Sequence, residues 1–225
     1  EIVIEPKKEN KGTIVIGAHY DSEGESPGAN DNASAVVILL DLAKRLKNVE
    51  MSHKLRVVFF VNEEPPFFRN EDMGSTVYAN NLIKTKENIK GMYALDVLGY
   101  YFEEENTQHY PFLFAPFFPD KANFVAFVGG LSSRDLIQKS VGAFRKDSKF
   151  PAEGVSAPSY IQGIDFSDHL SFYKHNIPAL MITDTAFFRS KTYHTPQDTI
   201  DKLNLDKMVQ LTDQLEKMFK ELYSN

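Results

Sequence analysis

A chain of 225 residues, 42% hydrophobic and 25% charged, is long enough to bury one sizeable core and too evenly mixed in composition for disorder. A formal charge of -6, with lysines scattered among acids, argues against a nucleic-acid surface, which needs clustered Lys and Arg. The absence of cysteine excludes disulfides and thiolate ligands, so a zinc site here has to be built from imidazole and carboxylate.

One globular domain over residues 1–225 is the expected organisation. No apolar stretch approaches the ~20 residues that span a bilayer. The chain opens at Glu1 in the strand-like EIVIEP, without an initiator Met or signal segment, and reads as a mature or trimmed form.

Thr13 to Ala18 (TIVIGA) is apolar and rich in β-branched residues, as expected of a strand covered on both faces, and Lys54 to Asn62 (KLRVVFFVN) reads the same way. Between them Ala33 to Leu46 predicts a helix, apolar nearly all round at first and then amphipathic with Asp41, Lys44 and Arg45 outward. Strand, helix and strand predict a right-handed crossover. A second helix from Met73 to about Lys84 leads to a strand at Gly91 to Leu95, which makes the sheet mostly parallel.

Tyr100 to Pro119 is rich in aromatics and prolines without a clean period and reads as an irregular insertion covering part of the site. Asn123 to Val128 predicts a strand, Ser132 to Phe144 a helix, Phe150 to Gly163 a Pro- and Gly-bearing loop, and Pro178 to Thr183 a buried strand. Met208, Leu211, Leu215, Phe219 and Leu222 recur at three- and four-residue intervals and mark one face of a terminal amphipathic helix.

The residues that carry chemistry sit where the strands give out: His19 and Asp21 in GAHYDS, Asp31 in GANDNASA, Glu63 and Glu64 in FFVNEEPP, Asp96 in ALDVLGYY, and His194 in TYHTPQDT. Loops leaving the carboxyl ends of parallel strands share one edge of an open α/β sheet, and ligands bind there. Five of these residues make a ligand set for two zinc ions, with one glutamate left over as a base.

Each residue also has an ordinary role. Asp31 can cap the following helix, since DNAS before an apolar run is a capping signature. His19 can be a core or surface histidine, Asp96 a turn former, and His194 part of a turn before Pro196. Glu63 and Glu64, after VVFFVN and before two prolines, have little helical or solvating purpose.

Taken in order, GAHYDS, PGANDNASA, NEE, ALDVLGY, SDH and YHTPQDT resemble the co-catalytic zinc aminopeptidases, the family that also includes glutamate carboxypeptidases and glutaminyl cyclases. The match runs from about Thr13 to Thr199. The resemblance implies a three-layer α/β/α sandwich with a mostly parallel, mixed central sheet, two zinc ions, and a peptide as substrate. His19 and Asp96 would hold one metal, Glu64 and His194 the other, and Asp31 would bridge them. Glu63 would be the general base, and Asp21 would accept the second ring N–H of His19. Asp198 would support the His194 loop in the same manner. By the same resemblance the protein is expected to be secreted or periplasmic and to remove N-terminal residues, apolar ones, from peptides.

Some positions depart from the family's pattern. Ile164 stands where some relatives place an oxyanion-stabilising tyrosine, which leaves Tyr160 and Tyr193 as candidates for that role. The segment after Glu64 is long and brings Phe67 and Phe68 toward the metals, to form with Phe187 and Phe188 either a side-chain pocket or ordinary packing. Arg189 is a candidate partner for a substrate carboxylate. Asp168 and His169 are expected to shape the site rather than ligate metal. Two other readings stay open: a single-zinc glutaminyl cyclase on Asp31, Glu64 and His194, weakened by the lack of tryptophan, and a metal-free binding module on the same fold.

Overall fold

The computed structural model describes residues 1–111 and 114–224. Its strands are β1 (Ile2–Ile4), β2 (Thr13–His19), β3 (Lys54–Phe60), β4 (Ile89–Leu95), β5 (Val125–Gly129), β6 (Ala152–Ser156) and β7 (Ala179–Thr183). They form one sheet in the order β1-β3-β2-β4-β7-β5-β6, parallel except where β1 meets β3 and β7 meets β5. The helices are α1 (Ala35–Leu46), α2 (Gly74–Lys84), α3 (Arg134–Arg145), α4 (Leu170–Tyr173) and α5 (Leu205–Tyr223).

β2 is buried at all seven positions, as its unbroken apolar run requires of a central strand with both faces covered. On one face α1, α3 and α5 enclose the larger core, to which Leu39, Phe144, Leu215 and Phe219 contribute fully buried side chains. Removing the Leu215 side chain would cost about 2–5 kcal/mol, because close-packed surroundings relax only partly into the cavity. On the other face α2 and α4 pack Ala79, Leu82 and Phe172 against Val58, Met92 and Ala94. The architecture is the expected α/β/α sandwich. Along α5 the buried stripe ends on Tyr223, with Leu222 only half-buried.

Chain direction fixes where a site can form. From β2 the chain crosses through α1 to β3 on one side, then through α2 to β4 on the other. The order therefore reverses around β2, and a crevice opens at the carboxyl ends of β2, β3 and β4.

Two stretches differ from the sequence reading. Phe150 to Gly163, expected to be a loop, contains the edge strand β6. Its glycine hid it: a Cβ at Gly154 would meet Val141 Cγ2 at 3.0 Å, so the position needs a bare backbone to lie against α3. The helix expected from Ala33 starts at Ala35, because Ala29–Ser34 forms a separate irregular turn with non-helical backbone at Asp31 and Asn32. The insertion Tyr100 to Pro119 holds no strand and only the short turn Ala115–Phe117 among its described residues; Phe112 and Leu113 lie outside them. No helix among the described residues is long and apolar enough to cross a membrane.

Candidate metal centre

The irregular turn works in two directions. Asn30 and Asn32 each use both ends of the side-chain amide: Asn32 donates to Leu95 O (3.0 Å) and accepts from Val97 N (3.0 Å), while Asn30 donates to Asp184 (3.0 Å) and accepts from Gly99 N (2.7 Å). Leu98 N donates to Ser34 Oγ at 2.9 Å. These bonds stitch the exit of β4 to the turn and hold Val97 at φ 52, a conformation that costs a β-branched residue on the order of 1–3 kcal/mol. Gly99 is required there, since a Cβ would stand 2.8 Å from Asn30 Oδ1. The outcome is a fixed direction for Asp96, the first residue after β4.

Asp31 points the other way. Its backbone N–H donates to Asp198 Oδ2 at 3.0 Å, as that of Asn30 does at 3.1 Å, so the Asp198 carboxylate, expected to support the His194 loop, anchors the Asp31 turn. Nothing in α1 is capped by the Asp31 carboxylate. Instead Oδ1 lies 3.2 Å from His19 Nε2 and Oδ2 lies 2.9 Å from His194 Nε2. Asp96 Oδ1 is 3.4 Å from His19 Nε2, and Glu64 Oε1 is 3.3 Å from His194 Nε2. Two triads, His19-Asp31-Asp96 and Asp31-Glu64-His194, thus share one carboxylate, and within each triad the donor atoms lie within 4.8 Å of one another.

The donor set fits zinc. Ligands bound at ~2.0–2.2 Å in a tetrahedron stand roughly 3.3–3.6 Å apart, close to the separations here. His19 Nε2, His194 Nε2 and Glu64 Oε1 are buried without a hydrogen-bond partner, a costly arrangement unless a cation accepts their lone pairs. Glu63 Oε2 is 3.9 Å from His19 Nε2, and with His19 and Glu64 it makes a third group within the same 4.8 Å; it stands outside the two triads that share Asp31 but within ligand reach.

Asp21 behaves differently from expectation. His19 Nδ1 is closest to the Asp21 carbonyl oxygen (3.1 Å) and lies 3.7 Å from its carboxylate. The carboxylate accepts the backbone N–H groups of Glu63 (3.3 Å) and Glu64 (3.1 Å). Asp21 therefore aims the imidazole through its backbone and the two glutamates through its side chain.

Charge crowding shifts the titration of His19, His194, Asp31, Glu63 and Glu64. Burial favours the neutral imidazole of His19, yet the charges of Glu63 and Asp96, with Asp21 and Asp31 beside it, hold it well above the ordinary histidine range. The same opposition raises His194 to about 10, through Asp31 and Glu64. Asp31 is lowered to about 2 against its burial, by the imidazoles of His19 and His194 on either side of it. Burial pushes Glu63 well above the usual carboxylate range, with Asp96, Asp168 and Glu64 adding to the effect, and raises Glu64 as well. Glu63 is thus held ready to take up a proton.

Of the other candidates, Asp168 and His169 are fully buried behind the centre. His169 Nε2 lies 2.8 Å from Ile164 O. The Asp168 carboxylate has no hydrogen-bond partner among the described residues; the Ser75 hydroxyl meets Ser171 Oγ at 2.9 Å, and burial raises the Asp168 carboxyl to about 7. Arg189 does not face the metals. It is buried, donating to Gln108 Oε1 (2.9 Å), Tyr100 O (3.1 Å) and Phe124 O (3.0 Å), and its guanidinium lies 4.8 Å from the centre of the Phe124 ring. The arginine fork is used to tie the insertion to β5, which leaves it no approach to a substrate carboxylate.

Tyr160, 86% exposed, is remote from the centre. Tyr193 stacks on His194 with ring centres 3.8 Å apart and lines a cavity together with Asp96, and burial with the charges of Asp31 and Asp96 keeps its hydroxyl protonated. This cavity has a volume of about 90 Å³, and its lining runs from Asp96 and Val97 past Met181, Phe124, Phe187 and Phe188. The expected pocket phenylalanines divide: Phe187 and Phe188 line this cavity, whereas Phe67 is exposed and Phe68 packs edge-on to Phe166, 6.4 Å away.

Asn30, Asn32, Ser34 and Asp184 went unremarked in the sequence reading. The signal for Asn30, Asn32 and Ser34 was polar residues at alternate positions in ANDNAS, directly before an apolar helix, where a solvated loop has no reason to place them; Asp184, after β7, carried none.

Known proteins resemble the chain along most of its length. Over 209 residues the chain is 42% identical to the uncharacterized protein YfbL of Escherichia coli strain K12, a match covering 89% of the chain and 64% of YfbL. It is 28% identical to the aminopeptidase YwaD of Bacillus subtilis strain 168, covering 89% of the chain and 39% of YwaD. The chain therefore spans less than two thirds of either relative. The structure of BSAP, a zinc aminopeptidase from Bacillus subtilis, superposes with a TM-score of 0.75 over 99% of the chain and 49% of BSAP at 24% identity, a likeness of fold. The family model for peptidase family M28 matches residues 2–218, and the chain belongs to that family.

Proposed function

We propose that the chain is a zinc-dependent aminopeptidase, binding two metal ions and releasing N-terminal residues from peptides. The observation that carries this reading is the Asp31 carboxylate, with one oxygen toward His19 and the other toward His194. In this reading His19, Asp31 and Asp96 hold one zinc, and Asp31, Glu64 and His194 the other. Bound there, the pair would supply Lewis acidity toward the scissile carbonyl and lower the pKa of a water to near neutrality.

The remaining work falls to the chain. Glu63, buried with a raised proton affinity, takes a proton from the attacking water and delivers it to the departing amine. The Tyr193 hydroxyl donates to the carbonyl oxygen as negative charge develops on it, the part for which Ile164 has no polar group. Asp21 fixes the backbone of both glutamates, which sets where that proton can go. The cavity beside Asp96 takes the side chain of the N-terminal residue along walls that are largely apolar. The glutamate-carboxypeptidase variant needed Arg189 at the metals, and Arg189 is committed elsewhere.

A panel of aminoacyl 4-nitroanilides, assayed with zinc, with chelator and after zinc is restored, tests the proposal. Turnover that needs zinc and recovers at two equivalents per chain is the expected result. Turnover indifferent to chelation, or cyclisation of N-terminal glutamine at one equivalent, would contradict it.

A further inference from the structure

One row of residues crosses the sheet from the candidate metal centre to its far edge. Asp96 follows Leu95, the partner of Ile182, and Thr183 follows Ile182; Thr183 pairs with Ala126, and Ala126 with Glu153. Asp96, Thr183, Ala126 and Glu153 therefore succeed one another across β4, β7, β5 and β6. All four line the cavity. At about 4.8 Å per strand, three steps separate the two carboxylate-bearing backbones by roughly 14 Å.

The middle of the row is small, so it forms a trough. The adjacent row, Met181, Val128 and Val155, also lines the cavity and makes one wall, and Phe188 is among the other lining residues. An unbranched apolar stem fits such a trough, and Glu153 waits where the stem ends. Arg145 reaches round the sheet edge from α3 and places Nη2 3.1 Å from Glu153 Oε2, with the arginine side chain 52% exposed and the glutamate 27%. An ion pair so open to water is worth roughly 0–1 kcal/mol. A carboxylate has about four lone-pair sites, so Glu153 retains capacity for a second cation arriving along the trough.

We propose that Glu153 determines specificity: the cavity takes a lysine or arginine side chain at the substrate N-terminus, its methylene stem along Thr183 and Ala126 and its cation on the Glu153 carboxylate. This names the substrate class of the aminopeptidase reading and rests on it, and it replaces a purely apolar preference with an apolar stem bearing a charged tip. The chain's net charge of -6 favours encounter with such cationic N-termini.

The test compares kcat/KM for lysyl, arginyl and leucyl 4-nitroanilides in the zinc-loaded wild type and in Glu153→Gln, which keeps size and shape. The wild type is expected to favour the lysyl and arginyl substrates, and the lysyl-to-leucyl ratio to fall at least about tenfold in the variant, the scale of one charge-assisted hydrogen bond. Leucyl turnover without lysyl or arginyl turnover in the wild type, or an unchanged ratio in Glu153→Gln, would overturn this assignment and leave the aminopeptidase reading intact. No turnover of any of these substrates would overturn both.

Discussion

On one side of the turn Ala29–Ser34, the amides of Asn30 and Asn32 and the hydroxyl of Ser34 are spent on the backbone of residues 95–99 and on Asp184; on the other, His19 Nε2, His194 Nε2 and Glu64 Oε1 are just as buried and have no hydrogen-bond partner. Leaving a buried polar atom unmatched costs about 1–3 kcal/mol, and a satisfied one costs little. The satisfied side is scaffold, fixing the backbone from which Asp31 and Asp96 project. The unsatisfied side stores destabilisation that a cation relieves, and it is there that the chemistry is expected.

The comparison breaks first on metal. Zinc should stabilise the protein by about 2.7 kcal/mol at a hundredfold excess over its Kd and be required for turnover; a thermal midpoint insensitive to zinc would show that the unsatisfied side needs no cation. Next in size, Glu63→Gln should lower kcat roughly 10²–10⁴-fold while zinc content stays unchanged, because the two triads that share Asp31 are complete without Glu63. Loss of metal together with activity would place Glu63 among the ligands.

The scaffold side has its own test. Asn32→Ala strands Leu95 O and Val97 N and should cost about 1–3 kcal/mol, or roughly 2–4 °C in Tm per kcal/mol for a chain of this size. A neutral result would mean that the backbone after β4 holds its course unaided.

A further effect is pH-dependent. Burial raises the Asp168 carboxyl to about 7 in the folded protein, above its ordinary value of 3.8. The folded state then binds the extra proton, so this contribution is complete below about pH 4 and is lost as pH rises through about 7. In zinc-free protein, Asp168→Asn should therefore gain stability relative to wild type between pH 5 and pH 8. Parallel melting curves across that range would show that Asp168 remains charged.

Much of this was legible in the chain. The runs TIVIGA and KLRVVFF marked central strands, and the acids and histidines following them fell at one sheet edge because parallel strands share an end. Family resemblance supplied the pairing of ligands, which strand order alone does not give. What stayed hidden depends on partners remote in sequence. AEGVS gains strand character only by pairing with β5, and Gly154 argued against it. Arg189 beside an aromatic segment looked like a substrate contact until the insertion's backbone folded onto its donors. Asp198 resembled a partner of the nearby His194 and instead receives the N–H groups of residues more than a hundred and sixty positions earlier. Glu153 gave no signal, since its meaning lies in which strand stands opposite.

Anomalous scattering at the zinc edge from a zinc-soaked crystal tests the central claim most directly. Two peaks astride the Asp31 carboxylate are expected, one among His19, Asp31 and Asp96 and the other among Asp31, Glu64 and His194. A single peak, or density away from Asp31, would contradict the bridged two-metal centre.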